Sequence, residues 1–238
     1  MSVVAISIEP NALDRFFARA VAESSGLAVV DLRDFERRLA WRFGAGDVLS
    51  SSPSTPLRRQ TSYAGLWTMT RSQLATRLRE RILEAAADGN VVILSWCAPA
   101  VLQPMRHVAR ILVRAAPAYR AAVAQRRLSY THPETARMEI VSEDAAIRDF
   151  VQNTFDSHWQ DPDAFDLVLN SARMSALQVI QSIEVLTARA RSYNEQETRV
   201  EIVRHLRELH EDEQRVSEPA TVEGASGKQG VPGLPRVG

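Results

Sequence analysis

The sequence predicts a three-layer α/β domain, with a parallel central sheet and helices on both of its faces. Two observations lead there. Short apolar, β-branched runs recur along the chain, among them "VVAISI" (Val3 to Ile8), "VVILSW" (Val91 to Trp96) and "HVARILVR" (His107 to Arg114). Runs of this kind suit strands covered on both faces. Between them lie amphipathic stretches long enough for the helical crossovers that parallel strands require.

Taken in order, the Val3 to Ile8 strand leads through a turn into a helix. Its apolar positions Leu13, Phe16, Phe17, Ala20 and Val21 fall at helical spacing. Asn11 is placed to cap this helix and Gly26 to end it. "LAVV" (Leu27 to Val30) is a second brief strand, and Asp31 or Asp34 can cap a helix through "FERRLAWRF". Residues 44–68 are Ser/Pro-rich and long for a structureless loop, so they are either a mobile functional segment or partly helical. Thr70 or Ser72 starts a helix with Leu74, Leu78, Ile82 and Leu83 on one face, and "DGN" stops it before the Val91 strand. The His107 to Arg114 strand precedes a helix begun by Pro117.

Ser142 to Phe155 reads as a further helix, Asp163 to Asn170 as carrying a strand, and Ser175 to Arg191 as another helix. The main domain is thus expected over residues 1–192. A helix over 193–215 is amphipathic through Val200, Val203, Leu206 and Leu209. Its stripe needs a cover, either its own domain or another subunit. Residues 216–238, rich in Gly, Pro, Ser and Glu, are expected to be disordered.

Composition narrows the function. Lys+Arg and Asp+Glu both number 29, giving a formal net charge of zero. That argues against a general nucleic-acid or membrane-surface binder, whose affinity comes from excess positive charge. One cysteine, Cys97, excludes an intrachain disulfide and a thiolate metal cluster. His205 and His210 are poorly spaced for one helical face, and no metal site is expected there. The opening "MSVVAISIEP" lacks a basic leader and no apolar run approaches a membrane span, so a cytoplasmic location is expected. In parallel α/β sheets ligands sit beyond the carboxyl ends of strands, which points to the turns after Ile8, Leu94, Arg114 and Leu169.

Three stretches carry a family resemblance: "GNVVILSWCAPAVL", "ILVRAAPAYRAAVAQRR" and "HWQDPDAFDLVLNSARMSALQVIQSI". They resemble, in turn, the strand entering a Gly-Arg-Gly-Ala turn, the Ala-Pro and Arg-ended helix before a lid, and the Trp-Asp-Asp-Pro…Tyr-Asp-Leu-Val-Ile-Asn-Thr ending of the cytidylate kinase-like family. Ile6, Ser7 and Glu9 fit that family's Ile-Ser-Arg-Glu. The resemblance implies a P-loop NTPase-type domain with a helical lid near residues 120–155, and, for an active member, ATP with Mg²⁺.

The departures from the family pattern share one direction. Its Gly-Ser-Gly-Gly falls on Asn11, Ala12, Leu13 and Asp14, inside a degenerate phosphate loop of Pro10, Asn11, Ala12, Leu13, Asp14 and Arg15. A phosphate cradle needs glycines so that backbone N–H groups converge on the anion without Cβ obstruction. Ser95-Trp96-Cys97 replaces Gly-Arg-Gly, basic residues are missing around Val141 and Ser142, and an expected arginine pair falls on Gln152 and Asn153. Phosphoryl transfer relies on positioning and positive charge, so these losses form one pattern.

Candidate nucleotide- or anion-binding residues are Trp96, Arg114, Arg126, Arg127, Arg137, Asp144 and Arg148. Each has a plainer reading: the arginines as solvated helix faces, Trp96 as a core plug instead of a base-stacking ring, and Asp14 as a helix-dipole partner. Asp161 and Asp166 are acids that can also simply shape a turn and a strand start. No catalytic residue is assigned. Three functions stand open at this point. One is a degenerate kinase with weak nucleotide or anion binding or an interaction role. Another is an active ATP-dependent kinase for a small nucleotide-like acceptor of the CMP/dCMP class, through a rebuilt site. The third is a non-catalytic module that binds a protein partner or a second copy through its C-terminal helix.

Overall fold

The computed structural model describes residues 2–13, 17–43, 69–128, 132–190 and 195–217. The Ser/Pro-rich segment 44–68, Asp14, Arg15 and the tail beyond residue 217 lie outside the described residues.

Five strands, β1 (Val3–Ile8), β2 (Ala28–Asp31), β3 (Val91–Leu94), β4 (Val108–Arg114) and β5 (Leu167–Asn170), pair in parallel in the order β2-β3-β1-β4-β5. β1 is central, with Val3 opposite both Val91 and Val108. The helices are α1 (Phe17–Ser25), α2 (Arg33–Phe43), α3 (Arg71–Asp88), α4 (Ala98–Val101), α5 (Pro117–Leu128), α6 (Pro133–Phe155), α7 (Ala176–Ala190) and α8 (Glu195–Ser217).

The pleat of β1 divides the core in two, because alternate side chains leave opposite faces. Val3 and Ala5 join a layer built from α2, α3, α6 and α8, with Leu74, Leu78, Ile82, Ile147 and Phe150 at its centre. Val4, Ile6 and Ile8 face α1 and α7, meeting Phe17, Val21, Val179 and Ile183. Both faces of the sheet are therefore covered, as the unalternating apolar runs require.

Local chemistry sets several boundaries. Thr70 caps α3 in a reciprocal box with Gln73. Gly89 and Asn90 turn the chain into β3 at φ 69° and 46°. The strand expected through Trp96 ends at Leu94, because Ser95 and Trp96 turn to meet a carboxylate from α2. A short 3-10 turn over Pro162–Ala164, capped by the Asp161 side chain, delays β5 to Leu167. The helix expected from Ser142 begins earlier, at Pro133, whose fixed φ suits a first helical position. Asn11 is not a helix cap; at φ 59° it belongs to a turn.

α8 also departs from the expected stripe. Thr198 and Ile202 are buried, with Leu206 and Leu209 packed on the same core against α3, whereas Val200 is 68% and Val203 40% exposed. The 198-202-206-209 spacing makes a straighter single face than one running through both valines. No helix among the described residues is long and apolar enough to cross a membrane.

Candidate functional site

The strand order changes direction at β1: β3 lies on one side and β4 on the other. In open parallel sheets, a crevice for ligands forms beyond the carboxyl ends at such a point. Here those ends are Ile8, Leu94 and Arg114, and the chain fills the space above them with its own side chains.

After β1 the backbone makes a tight turn in which the Ala12 N–H donates to the Glu9 carbonyl at 2.9 Å. Pro10 in the second position and Asn11 at φ 59° in the third are the residues a type II turn selects. Ala12 is buried, and its carbonyl accepts the Ser171 hydroxyl at 2.7 Å.

Glu9 is 2% exposed, yet its carboxylate is fully engaged. The Ala115 N–H donates to Oε2 at 2.9 Å, and the Gln160 amide donates to Oε1 at 2.7 Å. The Arg120 Nε lies 3.3 Å from Oε2. Arg120, also 2% exposed, projects from the first turn of α5 and grips Asp144 of α6 with two hydrogen bonds of 2.8 and 2.6 Å. Its remaining donors reach the carbonyls of Ala115 (3.0 Å) and Pro10 (3.4 Å). Burial alone would lower the Arg120 pKa, but the hydrogen bonds and charge of Asp144, with the charge of Glu9, outweigh it and raise the pKa.

The turn after β3 is filled in the same manner. Glu36 of α2 is wholly buried and accepts the Ser95 hydroxyl, the Trp96 N–H (2.7 Å) and the Cys97 N–H (3.3 Å). The Ser95 oxygen in turn accepts from the Cys97 and Ala98 N–H groups. Burial pushes the Glu36 carboxyl up to about 6, against the partial relief of these donors. Burial, followed by the Glu36 charge, raises the Cys97 thiol well above the usual thiol range, so it is no nucleophile at neutral pH.

Trp96 is 2% exposed; its indole N–H donates to the Ile8 carbonyl at 2.8 Å, and its ring meets Trp159 edge-on at 6.4 Å. The Arg37 guanidinium lies 5.7 Å above that ring and pairs with Glu143 of α6 at 2.6 Å.

Of the sequence-predicted residues, Pro10, Asn11, Ala12, Trp96 and Asp144 stand at or beside this filled crevice. Leu13 packs on the α1 side of the core. Arg114 is half exposed at the end of β4, 3.9 Å from Glu9. Arg126, Arg127 and Arg137 are exposed on α5 and α6, and Arg148 pairs at the surface with Asp149 at 3.7 Å. Asp166 holds Arg110 and does not face the crevice residues.

Sequence reasoning missed Arg120, Glu36, Gln160 and Ser171 as the groups that close the site. Two signals were present. Arg120 is a cation in a first helical turn, opposed to the helix dipole and so in want of a carboxylate. Glu36 is a carboxylate on the apolar face that also carries Leu39 and Ala40. Gln160 and Ser171 left no such mark.

Two cavities open elsewhere. One of about 230 Å³ lies among α3, α4, α6 and α8, and one of about 300 Å³ runs along α6; neither is lined by the turn after β1.

The profile of the cytidylate kinase-like family matches residues 3–173 of this sequence. No curated protein matches it. Among solved structures, an uncharacterized protein from Eubacterium ventriosum is similar in fold at TM-score 0.58 and 15% identity, over 79% of this chain and 98% of that one. Shikimate kinase from Acinetobacter baumannii, solved with shikimate, aligns at TM-score 0.45 and 11% identity over 81% of this chain and 97% of its own. Shikimate kinase from Bacteroides thetaiotaomicron aligns at 0.42 and 13%, over 78% and 97%.

Proposed function

The chain belongs to the cytidylate kinase-like family, and we propose that within this kinase fold it is a degenerate member. In this reading it binds nucleotides or anions weakly, and the former phosphate-loop position serves the fold. The observation that carries the reading is the saturation of Arg120. This buried guanidinium beside the β1 turn places its donors on Asp144, Ala115 and Pro10, with Glu9 alongside.

The described residues fit the phosphates of ATP and its Mg²⁺ poorly. A transferring phosphoryl group needs converging donors and cations. Around this turn the charges of Glu9 and Asp144 already offset those of Arg114 and Arg120, and Asn11 and Leu13 stand where the family has glycines. Trp96 and Glu36 occupy the turn where the resemblance places an arginine. No chemical step is assigned to this arrangement.

Calorimetry on the purified, folded protein tests the proposal, with ATP–Mg²⁺ and CMP titrated separately and together. Millimolar or undetectable affinity is expected for both, with no phosphorylated CMP. Micromolar ATP binding accompanied by product would establish the active-kinase reading instead.

A further inference from the structure

We infer that the open cavity among α3, α4, α6 and α8 is a binding site for a small monocarboxylate carried on an apolar body, one aromatic ring or a short acyl chain in size. It is separate from the crevice above β1 and does not depend on how that crevice is read.

Leu83, Ala100, Val101, Phe155 and Leu209 supply the apolar part of its lining, and Arg79 and His205 contribute the charged and polar side chains. Arg79 is half-buried. Its guanidinium stands 5.2 Å from the centre of the Phe155 ring, and it makes no ion pair among the described residues. The carboxylate next to it on α3, Glu80, is already engaged by Arg77 at 2.8 Å and faced by His210 at 3.4 Å. A partly desolvated guanidinium without a carboxylate is an incomplete arrangement, because such groups are ordinarily paired. His205 does not complete it: its Nδ1 lies 2.9 Å from the Glu201 carbonyl, so it donates there, and the ring brings no negative charge to the cavity.

The ligand class follows from this inventory. One planar guanidinium matches one carboxylate in a two-point contact. A phosphate or diphosphate calls for several converging cations or backbone donors, and the lining offers a single arginine. The five apolar side chains of the lining suit an apolar body beside that carboxylate. The volume of about 230 Å³ falls below that of pockets for drug-sized ligands and limits that body to roughly one ring.

Benzoate and its neutral planar counterpart benzamide, titrated into the full chain by ¹H–¹⁵N NMR, test this inference. Benzoate is expected to bind with shifts concentrated at Ala100, Val101 and Leu209, and benzamide to bind about tenfold more weakly or not at all. Arg79→Gln, with its fold checked by circular dichroism, is expected to remove the preference for benzoate. Equal binding of the two compounds to the unaltered protein overturns the proposal whatever the variant does. So do benzoate shifts that map outside this cavity, or an unchanged preference in folded Arg79→Gln.

Discussion

Arg120 and Asp144 meet in a two-point ion pair that ties the first turn of α5 to α6, and through Glu9 and the Pro10 carbonyl the same guanidinium ties both helices to the end of β1. A fold of this class places its ligand where these elements converge. In this chain one buried side chain occupies the junction and uses its donors internally.

Replacing Arg120 with Met keeps an unbranched, flexible stem and removes the charged guanidinium. Glu9 then stays buried with only the half-exposed Arg114, 3.9 Å away, as a cation, although Ala115 and Gln160 still donate to it. Loss of one partner from a buried ion pair costs about 3–5 kcal/mol, so the urea midpoint of Arg120→Met should fall sharply. Arg120→Lys should recover only part, since an ammonium cannot make the planar two-point contact with Asp144. A midpoint unchanged in both variants would mean that the network is not buried in solution.

Trp96 tests whether the second turn is plugged or merely covered. Trp96→Phe retains most of the ring volume but leaves the Ile8 carbonyl without its donor, a cost of about 1–3 kcal/mol. Trp96→Ala adds a cavity and should cost about 3–5 kcal/mol. Neither variant should gain affinity for CMP by calorimetry, because emptying the space restores volume without restoring cations. Micromolar CMP binding by Trp96→Ala would show that the indole alone closes the site.

The Glu36 carboxyl sets a pH dependence whose sign is fixed by its burial. Its pKa in the folded protein, about 6, lies above the ordinary value of 4.5. The folded state therefore holds a proton that the unfolded chain releases more readily. Stability from this group is fully present below about pH 4.5 and is lost as pH rises through about 6, a loss of about 2 kcal/mol. Glu36→Gln cannot ionise and should flatten that part of the stability profile, measured by urea unfolding between pH 4.5 and 7. An identical slope in the variant would assign the dependence to other groups.

The layers of this fold were legible in the sequence because burial on both sheet faces leaves a local trace. An unbroken run such as Val3 to Ile8 can only be satisfied between two helical layers. Around the candidate site the sequence showed what is absent: residues 11 to 13 and 95 to 97 carry neither the glycines nor the arginine of the family pattern. What replaced them was not, since Arg120 reaches Glu9 and Asp144, and Glu36 reaches Ser95, across long sequence separations that no periodicity records. The seating of α8 fell between these cases. Val200 and Val203 fit an amphipathic stripe as well as Ile202 does, and only the position of α3 decides which face is buried.

That choice of face gives the last prediction. Ile202 is fully buried against the α3 side of the core, while Val200 on the same helix is 68% exposed. Ile202→Ala removes buried methylenes next to a face that cannot fully collapse, at a cost of about 2–5 kcal/mol. Val200→Ala removes little from a solvated surface and should stay within about 0.5 kcal/mol of the parent. Equilibrium unfolding of the two variants, run at two protein concentrations, separates an intrachain seat from an intermolecular one. Concentration-independent midpoints with a large loss only in Ile202→Ala are expected, because the residues that bury Ile202 belong to the same chain. If Val200→Ala were the costly change, with a midpoint that rose with concentration, the exposed valines would be an interface between copies, and α8 would be covered from outside as well as from within.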